Sequence, residues 1–159
     1  MDRALFNQLL GGLVANLLSL ELLMRFLLAH AVNEPAPAFD ELKPGDDVAE
    51  GSFTNYESLG TVISRTNELL EANGFAELMD PDLVAIRDTF AHGRKVYADR
   101  DGPASLVKFG PPRRGRVKVQ AAFTLSEAEL RALTDRTYAE IQKVIAAGQE
   151  LGLDVGLED

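Results

Sequence analysis

Near the middle of the chain the sequence reads Ile86-Arg87-Asp88-Thr89-Phe90-Ala91-His92-Gly93-Arg94. Arginine, aspartate and histidine occur together only in this stretch, which contains one of the two histidines of the protein. Asp80-Pro81-Asp82 precedes it and is typical of a helix start, because Asp80 can accept hydrogen bonds from free amides and proline suits the first helical position. Gly93 predicts the helix end. We therefore expect a short helix whose last turns carry Arg87, Asp88 and His92.

The spacing within this stretch predicts which side chains meet. Asp88 and His92 are four residues apart, so they share one helix face, and the carboxylate can orient or charge the imidazole. Arg87 lies five residues before His92, and an ideal helix rotates the two side chains about 140° apart. They can converge if the last turn distorts before Gly93, or if a second subunit supplies its own copy.

The pattern Arg-Asp-x-x-x-His followed by Gly-Arg resembles the motif of the HEPN superfamily (higher eukaryotes and prokaryotes nucleotide-binding domains). That family carries an arginine, four to six further residues and a histidine, often with Asn, Asp or His directly after the arginine. The corresponding positions here are Arg87, Asp88 and His92. The resemblance implies a homodimer with facing motifs and a metal-independent ribonuclease of the kind found in toxin–antitoxin, phage-defence and RNA-processing systems.

The residue types of the motif suit this chemistry. Cleavage of RNA without a metal needs a base for the ribose 2′-hydroxyl, an acid for the leaving 5′-oxygen and positive charge near the phosphate. Imidazole exchanges protons near neutral pH, and a guanidinium offers several donors to phosphate. One histidine and one arginine are too few to supply the base, the acid and the positive charge. A homodimer with a two-fold axis would supply two of each. We predict that Arg87 and His92 are catalytic and that Asp88 orients His92.

Other interpretations of the same residues stay open. Arg87 and Asp88 can form surface ion pairs while His92 caps the helix, which describes a non-catalytic HEPN-like protein that dimerises or binds a partner such as an antitoxin. A nucleotide-binding module that uses the same cations is a third interpretation. The chain contains no Gly-x-x-x-x-Gly-Lys phosphate loop and no Gly-x-Ser-x-Gly elbow, which argues against those two enzyme classes.

The charge distribution is uneven. The formal net charge is −9, yet residues 87–118 contain nine Lys or Arg and three acids, so this segment carries +6 and the remainder −15. A local positive field on an acidic body can admit a phosphate backbone and discourage indiscriminate binding. A solvated hairpin whose cations balance the negative charge of acidic helices elsewhere in the chain would show the same pattern. Our candidates for phosphate or RNA binding are Arg94, Lys95, Lys108, Arg113, Arg114 and Arg116.

Length and composition predict one domain, residues 1–159, with an apolar fraction of 46%. The absence of cysteine excludes disulfides and thiolate chemistry and, with only two histidines, argues against a zinc site. We expect no cofactor and a cytoplasmic location. The apolar segment 9–20 resembles a signal-peptide core, but Asp2 precedes it and the pattern continues through Glu21 and Arg25, so we predict a core helix and no membrane association.

The periodicity along the chain predicts an all-α fold, a HEPN-like bundle of four main helices with one small β-hairpin. The helices are expected at residues 3–30, from 55 or 56 to 72, over the motif, and from the capping box at Ser126 to residue 147. Asn67 on the second helix is expected to face solvent. The hairpin is expected at residues 106–121, an exposed loop at 32–50 and an acidic tail at 151–159.

Overall fold

The computed structural model describes residues 3–97 and 104–153. Its elements, in chain order, are α1 (Arg3–Ala31), α2 (Leu59–Ala72), α3 (Leu83–His92), β1 (Arg94–Tyr97), β2 (Ala104–Phe109), β3 (Val119–Leu125) and α4 (Glu127–Glu150). All four predicted helices are present. Most of the acidic tail lies outside the described residues.

The all-α prediction is wrong, because the strands form a three-stranded antiparallel sheet in the order β1-β2-β3, which makes the fold mixed α/β. The predicted hairpin corresponds to β2 and β3, in which Leu106 pairs with Phe123. The additional strand, β1, pairs Arg94 with Val107 and Tyr97 with Ala104. It has only four residues and begins directly after α3, so it is too short to show an alternating pattern of its own.

Local capping explains where two of the helices begin. Ser126 accepts a hydrogen bond of 3.2 Å from the amide of Glu129, and its own amide donates one of 2.9 Å to the Glu129 carboxylate, so the predicted capping box is confirmed. Ser58 caps α2 by accepting from the amide of Thr61. The start of α2 is therefore a few residues later than predicted.

The chain divides into two compact units. One comprises Met1–Leu17 and Asp82–Tyr138, and the other comprises Leu18–Pro81 and Ala139–Asp159. The prediction of one domain stays a prediction. The candidate motif belongs to the first unit, whose buried apolar side chains include Phe6, Leu13, Leu83, Ile86, Leu106, Leu125 and Leu130.

In the second unit, a buried arginine fixes the segment that leads into α2. Arg25 is only 8% exposed and donates hydrogen bonds of 2.8 and 3.0 Å to the carbonyls of Ser52 and Glu57. It also bonds the side chains of Asn55 and Glu21. A buried guanidinium is tolerated because its donors are satisfied in this way.

An aromatic cluster holds part of the loop at residues 32–50. The ring of Phe39 lies 6.2 Å from that of Phe26 and 5.6 Å from that of Phe53, both in edge-to-face geometry. Most of the loop is exposed, as predicted. The Glu34 carboxylate also accepts hydrogen bonds from the Ser52 amide, so the loop is attached by this contact and by the Phe39 ring.

Helix α1 is long and apolar enough to cross a membrane by length and composition, over Ala4–Ala31. The core helix of a soluble protein and an N-terminal signal sequence meet the same criterion. The predictions of a cytoplasmic location and of no membrane association therefore stay predictions.

Candidate functional site

The motif helix α3 begins later than its sequence predicts. Its first helical residue is Leu83, and Asp82 occupies the cap position without a side-chain hydrogen bond to the helix. Asp80 instead donates its backbone amide to the Glu140 carboxylate at 3.0 Å. The first helical residue is therefore Leu83 and not Pro81, which the sequence predicts for that position.

The end of α3 at Gly93 is confirmed, and its cause is close packing. Gly93 has an extended backbone with φ −73°, and its amide donates to the carbonyl of Thr89 at 2.7 Å. A Cβ atom at this position would overlap that carbonyl oxygen and lie 2.9 Å from Leu106 Cγ. Strand β1 starts at the next residue, so glycine lets the chain pass from helix to strand without a loop. His92 is held at this junction.

Asp88 is the centre of the polar contacts on α3. Its Oδ1 accepts a 2.9 Å hydrogen bond from Arg87 Nη1, and its Oδ2 accepts a 3.3 Å hydrogen bond from Lys108 Nζ on β2. Partial burial raises the pKa of Asp88, but the hydrogen bonds and charges of Lys108 and Arg87 together outweigh this and hold the pKa below its ordinary value. Asp88 therefore stays ionised near neutral pH and joins two cations from different elements.

No hydrogen bond joins the side chains of His92 and Asp88. Both carboxylate oxygens of Asp88 are bonded to Arg87 and Lys108, and the structure shows no hydrogen bond between Asp88 and His92. The predicted role of Asp88 in orienting His92 thus has no counterpart in this geometry. His92 is exposed at the last position of α3, and no residue within the described part of the chain hydrogen-bonds to its side chain. Its imidazole is open to a ligand.

The other histidine is placed differently. His30 Nε2 lies 3.1 Å from the carbonyl oxygen of Leu151. The ring therefore connects the end of α1 to the end of α4 within the second unit. This is a structural contact, and it leaves His92 as the histidine available for chemistry.

Register explains how β2 brings Lys108 to the motif. Leu106 and Lys108 are two residues apart, so they share one sheet face, and Leu106 is buried. Lys95 is paired with Leu106 and shares this face, with its Nζ 3.8 Å from the ring centroid of Phe6. Arg94 lies on the opposite face, 5.4 Å from the ring centroid of Phe109. The neighbouring cations Arg94 and Lys95 therefore point in different directions.

The three remaining candidate cations are on the connection between β2 and β3. We call residues 110–118 the arm. The Gly110 amide donates to the Lys118 carbonyl at 2.9 Å, and Arg113 and Arg116 exchange backbone hydrogen bonds of 2.7 and 3.1 Å. Arg114 and Gly115 have φ values of 50° and 73°, which form a tight hairpin turn of the I′ type.

The candidate phosphate ligands therefore form two groups. Arg94, Lys95 and Lys108 lie on the strands that pack against or follow α3, whereas Arg113, Arg114 and Arg116 are exposed at the tip of the arm, where no described residue bonds to their side chains. Arg113 is five positions after Lys108, which is at most about 17 Å of extended chain. These six cations could be named as candidates from the sequence, but the sequence could not show that they are spread along a ribbon.

Within the described parts of the chain, no group of three or more His, Cys, Asp or Glu side chains could hold a metal ion. In comparisons with known proteins, no family model, curated protein or solved structure matches this chain.

Proposed function

We propose that this protein is a metal-independent RNA endonuclease of the HEPN type, with Arg87 and His92 acting on the scissile phosphate. The observation that carries the proposal is the position of His92. It is exposed at the end of α3, where no side chain from residues 3–97 or 104–153 hydrogen-bonds to it, and Arg94 follows it after a single glycine. The cluster of Arg87, Asp88 and Lys108 lies about one helical turn away.

The proposed chemistry uses two histidines. One imidazole removes the proton of the ribose 2′-hydroxyl, whose oxygen attacks phosphorus, while the bond from phosphorus to the 5′-oxygen breaks. The leaving 5′-oxygen takes a proton from a second imidazole, and the products are a 2′,3′-cyclic phosphate and a free 5′-hydroxyl. In a homodimer the second imidazole is His92 of the other copy. Arg87 supplies positive charge to the phosphate oxygens.

Asp88 has a changed role in this proposal. Because it bonds Arg87 and Lys108, it holds the two cations in a fixed arrangement and does not position the imidazole. The side chains of Arg87 and Lys108 remain 35% and 22% exposed, so parts of both are accessible to an incoming phosphate. Holding cations in place before the substrate arrives reduces the reorganisation needed during the reaction.

An apolar stripe on α1 supports the homodimer. Val14, Leu18 and Leu22 recur every four residues and are 38%, 65% and 43% exposed. Gly11 continues the stripe, with open space around its Cα. Isologous pairing of this stripe with its counterpart in a second copy would remove these side chains from water and bring two motifs into one particle.

The second candidate function is a non-catalytic HEPN-like protein that dimerises or binds a protein partner. It is favoured by the neutralisation of Arg87 and Lys108 by Asp88, and by the net charge of −9. A protein partner such as an antitoxin would then cover the motif. A nucleotide bound by the same cations belongs with this candidate.

The two candidates are separated by cleavage of a mixed RNA pool in EDTA. Wild-type protein should cleave, and His92→Ala should cleave at least about 100-fold more slowly, because a general base is lost. The matched control is His30→Ala, which removes the other histidine and should retain cleavage when its circular dichroism is native. Cleavage by His92→Ala at the wild-type rate contradicts the assignment, and inactivity of all three proteins favours the second candidate.

A further inference from the structure

The arm carries cations and no acids. Among its nine residues, Arg113, Arg114, Arg116 and Lys118 are basic, and the chain contains no Asp or Glu between residues 102 and 126. Residues 111–118 are all exposed. Against a net charge of −9 for the whole chain, the arm is a strongly positive projection.

We propose that the arm binds the phosphate backbone of a base-paired RNA stem and thereby places an adjoining unpaired segment at His92. The proposal rests on the proposed function in taking RNA as the ligand, and it adds the class of RNA that the site accepts.

The composition of the arm favours phosphates over bases. Proteins that bind single-stranded RNA stack its bases on exposed aromatic side chains, and the arm has no aromatic residue. Arginine forms paired hydrogen bonds to phosphate oxygens without reading sequence. A ligand held only by phosphates is recognised by the shape of its backbone, which is the way that proteins recognise double-stranded RNA.

The turn at the tip brings its cations together. Arg114 adopts φ 50°, a left-handed conformation that asparagine and glycine accept more readily than arginine. The arginine occupies a position where a neutral residue would suit the backbone better. Strain of this kind is characteristic of functional positions. Because Arg113 and Arg116 pair through their backbones on either side of Arg114, three arginines lie within one tight turn.

The arm and His92 are separated along the chain, so they would contact different parts of one RNA. Arg113 is at most about 17 Å of extended chain from Lys108, so the arm can contact phosphates several nucleotides away from those at the motif. Attack by a 2′-oxygen requires alignment with the departing 5′-oxygen, which the regular backbone of a duplex does not permit. The arm therefore suits the phosphates of a stem, and the site at His92 suits unpaired nucleotides, whose backbone can reach the alignment that cleavage needs.

Binding measurements on proteins with the His92→Ala substitution test this proposal without cleavage of the probe. The probes are a labelled RNA stem-loop and a linear RNA of equal length that cannot pair, each titrated over a range of salt concentrations. Arg113→Ala/Arg116→Ala should weaken stem-loop binding at least about tenfold and reduce the slope of log K against log salt by about 1.5. Linear RNA should be affected less. The control Lys43→Ala/Arg131→Ala removes two exposed cations elsewhere and should change neither value.

A second pair of variants, both at Arg114, distinguishes the effect of losing the charge on binding from the effect of changing the turn. Arg114→Asn suits the left-handed backbone but removes the charge, so it should weaken stem-loop binding with a native melting temperature. Arg114→Lys keeps both the charge and the strain and should bind within about threefold of the parent, since either cation contacts phosphate.

The proposal is overturned if the arm double variant binds the stem-loop as tightly as the parent, or if the linear RNA binds more tightly than the stem-loop. These outcomes are distinct from failure of the nuclease. Arm-dependent stem binding without cleavage by wild-type protein contradicts the proposed function and leaves the arm as an RNA-binding element. Cleavage together with arm-independent binding contradicts the arm proposal alone.

Discussion

Arg87 donates a 2.9 Å hydrogen bond to the carboxylate of its neighbour in sequence, Asp88. The second oxygen of that carboxylate accepts from Lys108 at 3.3 Å, so one acid on the motif helix bonds two cations from different elements. We predict that removal of the Asp88 charge weakens the fold and, under the proposed function, strengthens RNA binding.

The effect of Asp88 on stability should depend on pH. Its pKa in the folded state is held below the ordinary value of 3.8, so the ionised form stabilises the fold at pH values above 3.8, and this contribution is lost as the pH falls through the folded pKa. Asp88→Asn should lower the free energy of unfolding by roughly 0.5–1 kcal/mol at pH 7. Urea titrations at pH 7 and pH 3 measure this difference, which should shrink at the lower pH. A difference that grows at pH 3 would contradict the ion-pair interpretation.

The same variant should bind RNA more tightly in a background that lacks cleavage. Loss of the carboxylate removes one negative charge beside Arg87 and Lys108, so the salt dependence of binding should become steeper. Asp88→Glu keeps the charge and is the matched control. Weaker binding by Asp88→Asn would contradict this prediction, because it would show that the arrangement of the cations matters more for affinity than the negative charge beside them.

Gly93→Ala should destabilise the first unit by about 1–3 kcal/mol, because the added methyl group would overlap the Thr89 carbonyl and press against Leu106. Gly12→Ala is the control, since nothing lies within 4 Å of a Cβ at that exposed helical position. It should stabilise the protein by about 0.5–1 kcal/mol through better helix propensity. Urea denaturation followed by circular dichroism measures both. Equal stability of the two variants would contradict the close packing at Gly93.

Leu18→Glu should convert the proposed homodimer to a monomer, because it introduces a charge into the exposed apolar stripe of α1. Size-exclusion chromatography with light scattering gives the mass directly. Tyr56→Glu changes a fully exposed residue on a loop and should leave the mass unchanged. A wild-type mass of one chain, or a dimer that survives Leu18→Glu, would contradict pairing through this stripe.

The helices could be predicted well from the sequence, because apolar periodicity and the residues that start or end a helix act over a few neighbouring positions. The capping box at Ser126 and the glycine after His92 each mark an element boundary through a few neighbouring residues. The starts of α2 and α3 were predicted too early. Asn55 accepts a hydrogen bond from Arg25, and the Asp80 amide donates to Glu140, so contacts with residues distant in sequence hold the segments that precede the two helices.

Strand β1 and several side-chain contacts could not be predicted, because they depend on tertiary contacts that the periodicity of the sequence does not reveal. Strand β1 forms because β2 offers it a hydrogen-bonding partner. Asn67 was expected to face solvent, but its side chain bonds both the amide and the carbonyl of Met79, at 2.7 and 3.1 Å. At the candidate site, the residues of the motif were visible in the sequence. The pairing of Asp88 with Lys108 was not, because twenty residues separate the two in sequence.

The prolines of the arm have a consequence for how the protein behaves at high concentration. Pro111 and Pro112 carry no amide hydrogen, so this side of a projecting ribbon cannot donate to a further strand. The border of the sheet on the same side is β1, which pairs with β2, has only four residues and begins with Arg94 and Lys95. Short, charged and proline-containing edges resist the strand-by-strand growth that leads to fibrils. On this side, the ribbon can thus stay available to a ligand without adding a strand from another copy.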